Sequence, residues 1–368
     1  MKNKDQAHEM SMLRAIALAR RGEGLTRPNP PVGAIVVRNG QVLGEGWHRH
    51  AGGPHAEVIA LREAGRAARG ATLYVTLEPC STWGRTPPCT DAILAAGVRR
   101  VVAAARDPNP RHAGRGLALL RRKGVLVDDG ICRDDAFELL APFASWITKG
   151  IPYVTLKMGP SLDGRIADRT GSSRWITGAA SRIRVQALRR RVDAVMVGGG
   201  TVAADNPSLL PRPAKGRNPF RIIVDSNRSR APLSARVFSD ENAQRTILAV
   251  PHNYPASRIH ALRARGVKVL SLASAGGHVR ISSLLKALGR EGILHVLCEG
   301  GGGLAASLAE AGCVDEYVFF IAPRIIGSRE APMVMSGRGW LLKDAPHLRF
   351  TSCERVGPDI MIRAQPGR

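Results

Sequence analysis

The sequence predicts an α/β protein with two domains, and three observations support this. The chain has 368 residues, which is long for a single hydrophobic core. Apolar runs of strand length alternate with amphipathic stretches of helix length along it. The segment TKGIPY, with Gly150 and Pro152, interrupts that alternation. We therefore expect one domain over residues 1–147 and a second over residues 151–368.

The first half contains the elements of one layered sheet. An amphipathic helix is predicted first, followed by the Pro-rich turn RPNPPVG. Buried strands and further helices then alternate, so a sheet with helices on its faces is expected to end near Trp146. The predicted helices cover residues 8–21, 55–67, 89–96 and 114–123, and the predicted strands cover residues 32–37, 71–77 and 99–105.

The second half repeats the alternation with its own strands. Two of these strands run into glycine clusters, Gly198–Gly200 and Gly300–Gly303. A second α/β domain is therefore expected, and each glycine cluster is compatible with a tight turn or a phosphate cradle. The predicted strands cover residues 153–158, 193–199, 221–225, 245–250, 267–272 and 295–301.

Composition limits the classes of function. Hydrophobic content of 44% and charged content of 23% are ordinary for a globular protein. The start, MKNKDQAHEM, has no secretory signal character, and no apolar run approaches the roughly 20 residues of a membrane span. We therefore expect a cytoplasmic protein without membrane contact.

The net charge of +24 has two interpretations. It is compatible with a nucleic-acid surface, or with dispersed arginines and phosphorylated small substrates. Basic residues are spread along the chain, and aromatic residues, which stack on bases, make up only 4%. These two features favour small substrates and no nucleic-acid partner.

Two of the six cysteines differ from the others. Cys80 and Cys89 are flanked by proline and glycine in TLEPCSTWGRTPPC, and upstream lies GGPHAEVIALREAG with His55 and Glu57. One histidine and two cysteines form a ligand set for Zn²⁺ that leaves a fourth position for water, as catalytic sites do. Cys89 precedes a predicted helix, whose N-terminus favours a thiolate.

Glu57 stands two residues beyond the histidine, where it can face a metal-bound water without binding the metal. A carboxylate there can accept a proton from the water and pass it to a leaving amine. The order His-x-Glu, Pro-Cys, Cys is that of zinc deaminases. The alternative is a structural zinc site, which requires a fourth ligand such as His48 or His50.

The sequence resembles the bifunctional riboflavin-biosynthesis deaminase–reductase family over nearly its full length. In the first half the resemblance rests on PNPPVGAIVV, HAEVIAL, TLEPCS, GRTPPC, DPNP and AGRG. In the second half it rests on LKMGPSLDGRIA, SSRWITG, DAVMVGGGTVAADNPSLLPR, VLCEGGGGLAASL and VDEYVFFIAPRIIG. The resemblance implies a cytidine-deaminase-like α/β/α domain followed by a dihydrofolate-reductase-like α/β domain.

The implied chemistry is two consecutive steps. The first is hydrolytic deamination of 2,5-diamino-6-(5-phosphoribosylamino)pyrimidin-4-one, and the second is NADPH-dependent reduction of the ribosyl unit to a ribityl chain. In the first domain, the resemblance assigns zinc to His55, Cys80 and Cys89, proton transfer to Glu57, and substrate contacts to Asn29 and Arg85. This chain has Thr82 where the family commonly has a histidine, so one substrate contact is missing or replaced.

In the second domain, the resemblance implies two sets of residues. Pro160 stands where the family often has alanine, and Asn206 where it often has a second aspartate. The implied substrate-binding residues are Lys157, Ser173, Arg189, Leu209, Arg212 and Glu299, with Arg189 and Arg212 as phosphate ligands. The implied NADPH-binding residues are Pro160, Trp175, Thr177, Thr201, Asp205, Ser226, Gly301, Gly302 and Gly303.

The sequence is also compatible with a second function. The charge is also compatible with a zinc deaminase that acts on tRNA or another nucleic acid, with the second domain as a basic clamp. The family is often oligomeric, so we also expect a homo-oligomer.

Overall fold

The computed structural model describes residues 2–213, 217–226 and 231–367. The chain divides into two compact units, Met1–Gly150 and Ile151–Arg368, each with its own hydrophobic clusters. None of the helices in the described ranges combines the length and apolar character needed to cross a bilayer.

The first unit is a five-stranded sheet between two layers of helices. Its strand order is β2-β1-β3-β4-β5; β1 pairs antiparallel with β2 and β3, and β3, β4 and β5 run parallel. The helices are α1 (Lys2–Ala19), α2 (Ala56–Ala64), α3 (Cys89–Ala95), α4 (Arg115–Arg122) and α5 (Arg133–Lys149). The strands are β1 (Gly33–Arg38), β2 (Gln41–Trp47), β3 (Thr72–Leu77), β4 (Arg100–Ala105) and β5 (Leu126–Asp129).

Side chains on both faces of this sheet are buried because helices cover both. Along β1, Ala34 and Val36 pack into one cluster, with α2, α3 and α4. The intervening Ile35 and Val37 pack into a second cluster, with α1 and α5. Successive residues of a strand face opposite sides of the sheet, and both sides are buried here. The strands therefore appear in the sequence as nearly continuous hydrophobic runs, which is why they were predicted.

The second unit is a nine-stranded sheet in the order β10-β9-β8-β7-β13-β6-β14-β16-β15. Neighbours from β10 to β14 run parallel, while β16 pairs antiparallel with β14 and β15. The helices are α6 (Ala179–Arg191), α7 (Gly199–Asp205), α8 (Arg236–Ser239), α9 (Ala256–Arg263), α10 (Ile281–Arg290) and α11 (Gly302–Glu310). The strands are β6 (Tyr153–Met158), β7 (Ala194–Gly198), β8 (Phe220–Val224), β9 (Thr246–Pro251), β10 (Lys268–Leu272), the short pair β11 (Ser274–Ala275) and β12 (His278–Val279), β13 (His295–Cys298), β14 (Glu316–Ile321), β15 (Leu348–Val356) and β16 (Asp359–Pro366).

Helices cover both faces of the parallel part of this sheet too. On one face, Met196 and Ile222 pack with α10 and α11. On the other, Val195 and Ile223 pack with α8 and α9. Parallel strands end at the same edge of a sheet, and the clefts at such edges are where α/β proteins bind ligands.

Candidate functional site

The three predicted metal ligands come together at the carboxyl edge of β3 and β4. His55 is the residue before α2, Cys80 lies three residues beyond β3, and Cys89 is the first residue of α3. His55 Nδ1 lies 3.1 Å from Cys89 Sγ and 3.5 Å from Cys80 Sγ. All three ligand atoms lie within 4.8 Å of one another, the spacing that a shared metal ion requires.

The contact between the two thiols favours ionisation of Cys80 and protonation of Cys89. A hydrogen bond with Cys89, together with donation from the Cys89 backbone N–H at 3.3 Å, lowers the pKa of Cys80 to about 4. The same contact, with burial, raises the pKa of Cys89 well above its usual range. A divalent cation among these atoms would stabilise both thiolates, so the donor set suits zinc.

Glu57 lies in the first turn of α2 and is only 3% exposed. Burial raises its pKa to about 7, although the nearby His55 charge opposes the shift. A carboxyl group with a pKa near neutrality can both accept and release a proton. Glu57 also lines the same cavity as His55 and Cys80, as a proton carrier must.

Within the described part of the chain, no fourth protein ligand of a structural zinc site joins the cluster. Among the described residues, the cluster of possible ligands contains His55, Cys80 and Cys89 alone. His48 directs Nδ1 to the Pro54 carbonyl at 3.1 Å and Nε2 to Asn29 Nδ2 at 3.0 Å. An open position facing the cavity is the arrangement of a catalytic zinc site.

The cavity beside this cluster has a volume of about 390 Å³ and also contains the two predicted substrate contacts, Asn29 and Arg85. Sequence reasoning gave no substrate role to three other side chains in its wall: His48, Thr86 and His112. Thr86 Oγ1 lies 3.4 Å from His55 Nε2, so it can fix the ring that presents Nδ1 to the cysteines.

The buried carboxylate of Glu78 links the segment that contains Cys80 to the loop after β4. Glu78 is 5% exposed and accepts four backbone N–H donors, from Asp107 (3.1 Å), Gly114 (2.8 Å), Gly116 (2.8 Å) and Leu117 (3.3 Å). Since Glu78 is two residues before Cys80, this network fixes the ligand relative to the loop over residues 107–114.

The second unit has a larger cavity, about 630 Å³, at the carboxyl ends of β7, β8 and β13. Thr201 Oγ1 accepts a 2.9 Å hydrogen bond from the Gly301 N–H, which joins the two glycine clusters across the cavity. Ser173 donates to Asp205 Oδ1 at 3.1 Å in the same wall. Seven predicted residues line this cavity: Ser173, Thr201, Asp205, Ser226, Gly301, Gly302 and Gly303.

A buried ion cluster forms a second group in this unit. The Arg189 guanidinium pairs twice with Glu299, through Nε at 2.6 Å and Nη2 at 2.9 Å, and Lys157 Nζ lies 3.9 Å from the same carboxylate. Although burial opposes it, the Arg189 and Lys157 charges lower the pKa of Glu299 to about 2. Burial lowers the pKa of Lys157. Arg189 also donates to the Leu210 carbonyl at 3.2 Å, next to the buried Leu209.

Arg189 already uses two of its donors on Glu299, whereas Arg212 is exposed. The phosphate roles inferred for both arginines stay predictions, and so do the roles of the remaining residues.

The other predicted cofactor residues lie outside the walls of the larger cavity. Trp175 is 61% exposed, with the Arg182 guanidinium 4.5 Å from its ring centroid. The Thr177 carbonyl accepts from Arg182 Nη1 at 2.8 Å. The buried Pro160 uses its carbonyl to accept the Ala322 N–H at 2.9 Å.

Both halves match known protein families. Residues 5–105 match the cytidine and deoxycytidylate deaminase zinc-binding region, and residues 152–362 match the RibD C-terminal domain. The riboflavin biosynthesis protein RibD of Bacillus amyloliquefaciens is 44% identical over 97% of this chain and 96% of its own length. The protein of the same name from Escherichia coli (strain K12) is 40% identical over 96% of this chain and 98% of its own.

Solved structures agree over the full chain. Acinetobacter baumannii RibD matches with a TM-score of 0.87 and 38% identity, covering 99% of this chain and all of that one. A Thermotoga maritima protein described as a diaminohydroxyphosphoribosylaminopyrimidine deaminase/5-amino-6-(5-phosphoribosylamino)uracil reductase matches with a TM-score of 0.87, 36% identity and the same coverage. The predicted fold of both domains and the predicted family are confirmed. The chain belongs to the RibD family of riboflavin-biosynthesis proteins, and it is an enzyme with a zinc-dependent deaminase activity and an NADPH-dependent reductase activity.

Proposed function

We propose that residues 1–147 deaminate 2,5-diamino-6-(5-phosphoribosylamino)pyrimidin-4-one and that residues 151–368 reduce the ribosyl unit of the product to a ribityl chain. The observation that carries the proposal is the cluster of His55, Cys80 and Cys89 beside the buried Glu57. It supports hydrolysis at an amidine-like ring carbon, because such a carbon requires a nucleophile that is strong at neutral pH.

In the deaminase step, each side chain has a separate task. His55, Cys80 and Cys89 would hold zinc, which would supply a nucleophile at neutral pH by lowering the pKa of a water molecule. Glu57 accepts the proton of the attacking water and delivers it to the departing amino group, which leaves as ammonia. Asn29, held by His48 at 3.0 Å, positions the pyrimidine edge, and Arg85 at the exposed side of the cavity faces the phosphate.

In the reductase step, Thr201, Asp205, Ser226 and the clustered glycines would hold NADPH, which would supply the hydride. Gly302 and Gly303, the first residues of α11, line the cavity, and the N-terminus of a helix suits a pyrophosphate. Lys157 and Glu299 meet the ribosyl chain, and the Arg189 pair holds Glu299 ionised for that contact.

A two-stage assay tests the proposal on the full chain. Ammonia should be released from the phosphoribosyl substrate without NADPH, and NADPH should be oxidised only after deamination. Glu57→Gln should lower ammonia release by about 100- to 10,000-fold while zinc content stays the same. NADPH consumption before any ammonia appears would contradict the proposed order of steps.

Binding measurements separate this function from a nucleic-acid deaminase. A basic clamp would bind RNA tightly, with a steep salt dependence, and would not need NADPH. Cofactor binding measured by calorimetry therefore distinguishes the two, because a clamp would give no NADPH binding.

We also propose a cytoplasmic homo-oligomer. All six cysteines are free thiols in the described structure, and a reducing compartment keeps the two zinc-ligating thiols available. Apolar side chains are exposed on or near the edge strand β15, among them Leu342 at 94% and Phe350 at 71% exposure. An exposed apolar edge is suited to association with a second copy, which sedimentation would detect.

A further inference from the structure

The deaminase cavity has a buried end and an exposed end. The buried Glu57 and the half-buried His55 and Cys80 lie at the first end, where deamination must take place. Thr82 and Arg85 line the same cavity but are exposed to solvent. A substrate whose reacting ring carbon reaches Glu57 must extend its phosphoribosyl arm toward the exposed end.

A histidine from a different loop lies beside Thr82. His112 belongs to the loop between β4 and α4, lines the cavity, and places Nδ1 3.5 Å from Thr82 Oγ1. When the threonine hydroxyl donates to Nδ1, the proton of the neutral ring resides on Nε2. The imidazole then has an N–H donor on Nε2, in a ring that lines the cavity beside Thr82.

The loop that carries His112 is held in place. The His112 N–H donates to the Asn109 carbonyl at 2.9 Å, and the Asn109 N–H donates to Asp107 Oδ1 at 2.8 Å. Glu78 ties both ends of the loop, Asp107 and Gly114, to the segment of the zinc ligand Cys80. His112 is therefore positioned relative to the metal ligands, as a substrate-binding residue must be.

We propose that His112 contacts the phosphoribosyl arm of the deaminase substrate and replaces the histidine that this chain lacks at Thr82. The inference rests on the proposed function of the first unit. A ring N–H and the Arg85 guanidinium together suit phosphate oxygens, whereas the pyrimidine ring is held at the buried end by other side chains. His112 is thus a binding residue and has no task in the proton transfer of Glu57.

The test compares two substrates on the full-length, zinc-loaded protein. Ammonia release is measured with the phosphorylated substrate and with its dephosphorylated counterpart. His112→Ala should raise KM about 10-fold for the phosphorylated substrate, with kcat within about twofold, and should leave KM for the dephosphorylated one unchanged. Arg111→Ala, an exposed neighbour on the same loop, is the matched control and should change neither KM.

Two further measurements separate contact from structural support. In the inactive Glu57→Gln background, His112→Ala should raise the Kd of the phosphorylated substrate by about the same 10-fold. The double variant Thr82→His, His112→Ala should restore KM to within about threefold of the unmodified chain. NADPH oxidation with deaminated substrate checks folding of the second unit, and zinc content checks that of the first.

Three outcomes would overturn the inference. These are an unchanged KM in His112→Ala, an equal loss for both substrates, and failure of Thr82→His to rescue. If the unmodified protein releases no ammonia from either substrate, the proposed deaminase function fails, and the inference fails with it. If the unmodified protein releases ammonia and the His112→Ala variant has the same KM, only the inference about His112 is overturned.

Discussion

Side chains supply the chemistry of the first cavity, whereas backbone lines much of the second. Around Glu57, one imidazole and two thiols converge from three separate helix or strand ends. Around Thr201, two glycine clusters, Gly198–Gly200 and Gly301–Gly303, bring main chain to the cavity. A site built from reactive side chains loses function when one reactive atom is changed. A site lined by backbone loses function when an added side chain fills the space that the ligand needs.

The largest effect is expected where a reactive atom is removed. Cys89→Ser should abolish zinc binding and lower ammonia release at least about 1,000-fold, because serine is a poor zinc ligand at neutral pH. NADPH oxidation with deaminated substrate should be unchanged, since the second unit has its own core. Metal analysis and both assays check this, with the exposed Cys353→Ser as the control. Stoichiometric zinc in Cys89→Ser would contradict the ligand assignment.

The same difference explains how much could be predicted from the sequence. The zinc cluster was predictable because its residue types, spacing and neighbouring prolines mark it directly along the chain. The hydrogen bond from Gly301 to Thr201 was not, because it joins residues 100 positions apart. His112 carries no local signal either, since the significance of the residue depends on its contact with Thr82 across the cavity.

Each strand predicted from an apolar run is present in the structure, although the equally apolar β14 (Glu316–Ile321) was not among the strands predicted. The predicted strands 32–37, 71–77 and 153–158 match β1, β3 and β6 to within one residue.

The missed β2 contains Gly44 and Gly46, which normally indicate a turn. Here a Cβ at either position would lie 2.3 or 2.2 Å from a backbone carbonyl of α2, so the close approach of that helix requires glycine.

Two other elements were not predicted from the sequence, for different physical reasons. The helix α5 contains Pro142, which usually ends a helix, and it went unassigned. The strand β15 is exposed along most of its length, so its sequence does not show a buried face. Its antiparallel pairing with β16 is a tertiary contact that periodicity alone does not reveal.

The next largest effect is expected in the ion cluster of the second unit. Glu299→Gln leaves Arg189 and Lys157 facing each other without a carboxylate, and it should lower the free energy of unfolding by about 3–5 kcal/mol. Denaturant unfolding measures this. The control is Glu291→Gln, which breaks a more exposed pair with Lys268 and should cost at most about 1 kcal/mol. Equal costs for the two variants would contradict the structural role of the buried cluster.

The acid dependence of unfolding sharpens that test. The pKa of Glu299 is lowered from 4.5 to about 2, so its ionised form is more stable in the folded protein. The stabilisation is therefore complete above pH 4.5 and is lost as the pH falls toward about 2. Glu299→Gln should remove this contribution to the pH dependence of the free energy of unfolding. Unfolding free energies measured at successive pH values would show the change. An unchanged slope would mean that Glu299 is not held ionised by its neighbours.

A smaller effect is expected from adjacent glycines at the start of α11. A Cβ at Gly302 would lie 2.3 Å from the Met333 carbonyl oxygen, whereas a Cβ at Gly303 meets no atom within 4 Å. Gly302→Ala should therefore destabilise the second unit by about 1–3 kcal/mol and weaken NADPH binding, because the backbone must shift. Gly303→Ala should leave the free energy of unfolding unchanged or raise it slightly, since alanine favours a helix. Thermal unfolding and NADPH titration measure the pair, and equal effects would exclude the steric explanation.

The smallest effect is expected from an exposed arginine. Arg212→Ala should raise KM for the phosphorylated reductase substrate about 10-fold without changing the free energy of unfolding, because its side chain is exposed. Arg189→Ala should instead destabilise the second unit, since it leaves Glu299 buried without its closest cation. Reductase kinetics and denaturant unfolding separate the two arginines, with the exposed Arg263→Ala as control. If Arg212→Ala leaves KM unchanged while Arg189→Ala raises it in the remaining folded protein, the phosphate is bound by the buried cluster, and the exposed arginine has no part in recognition.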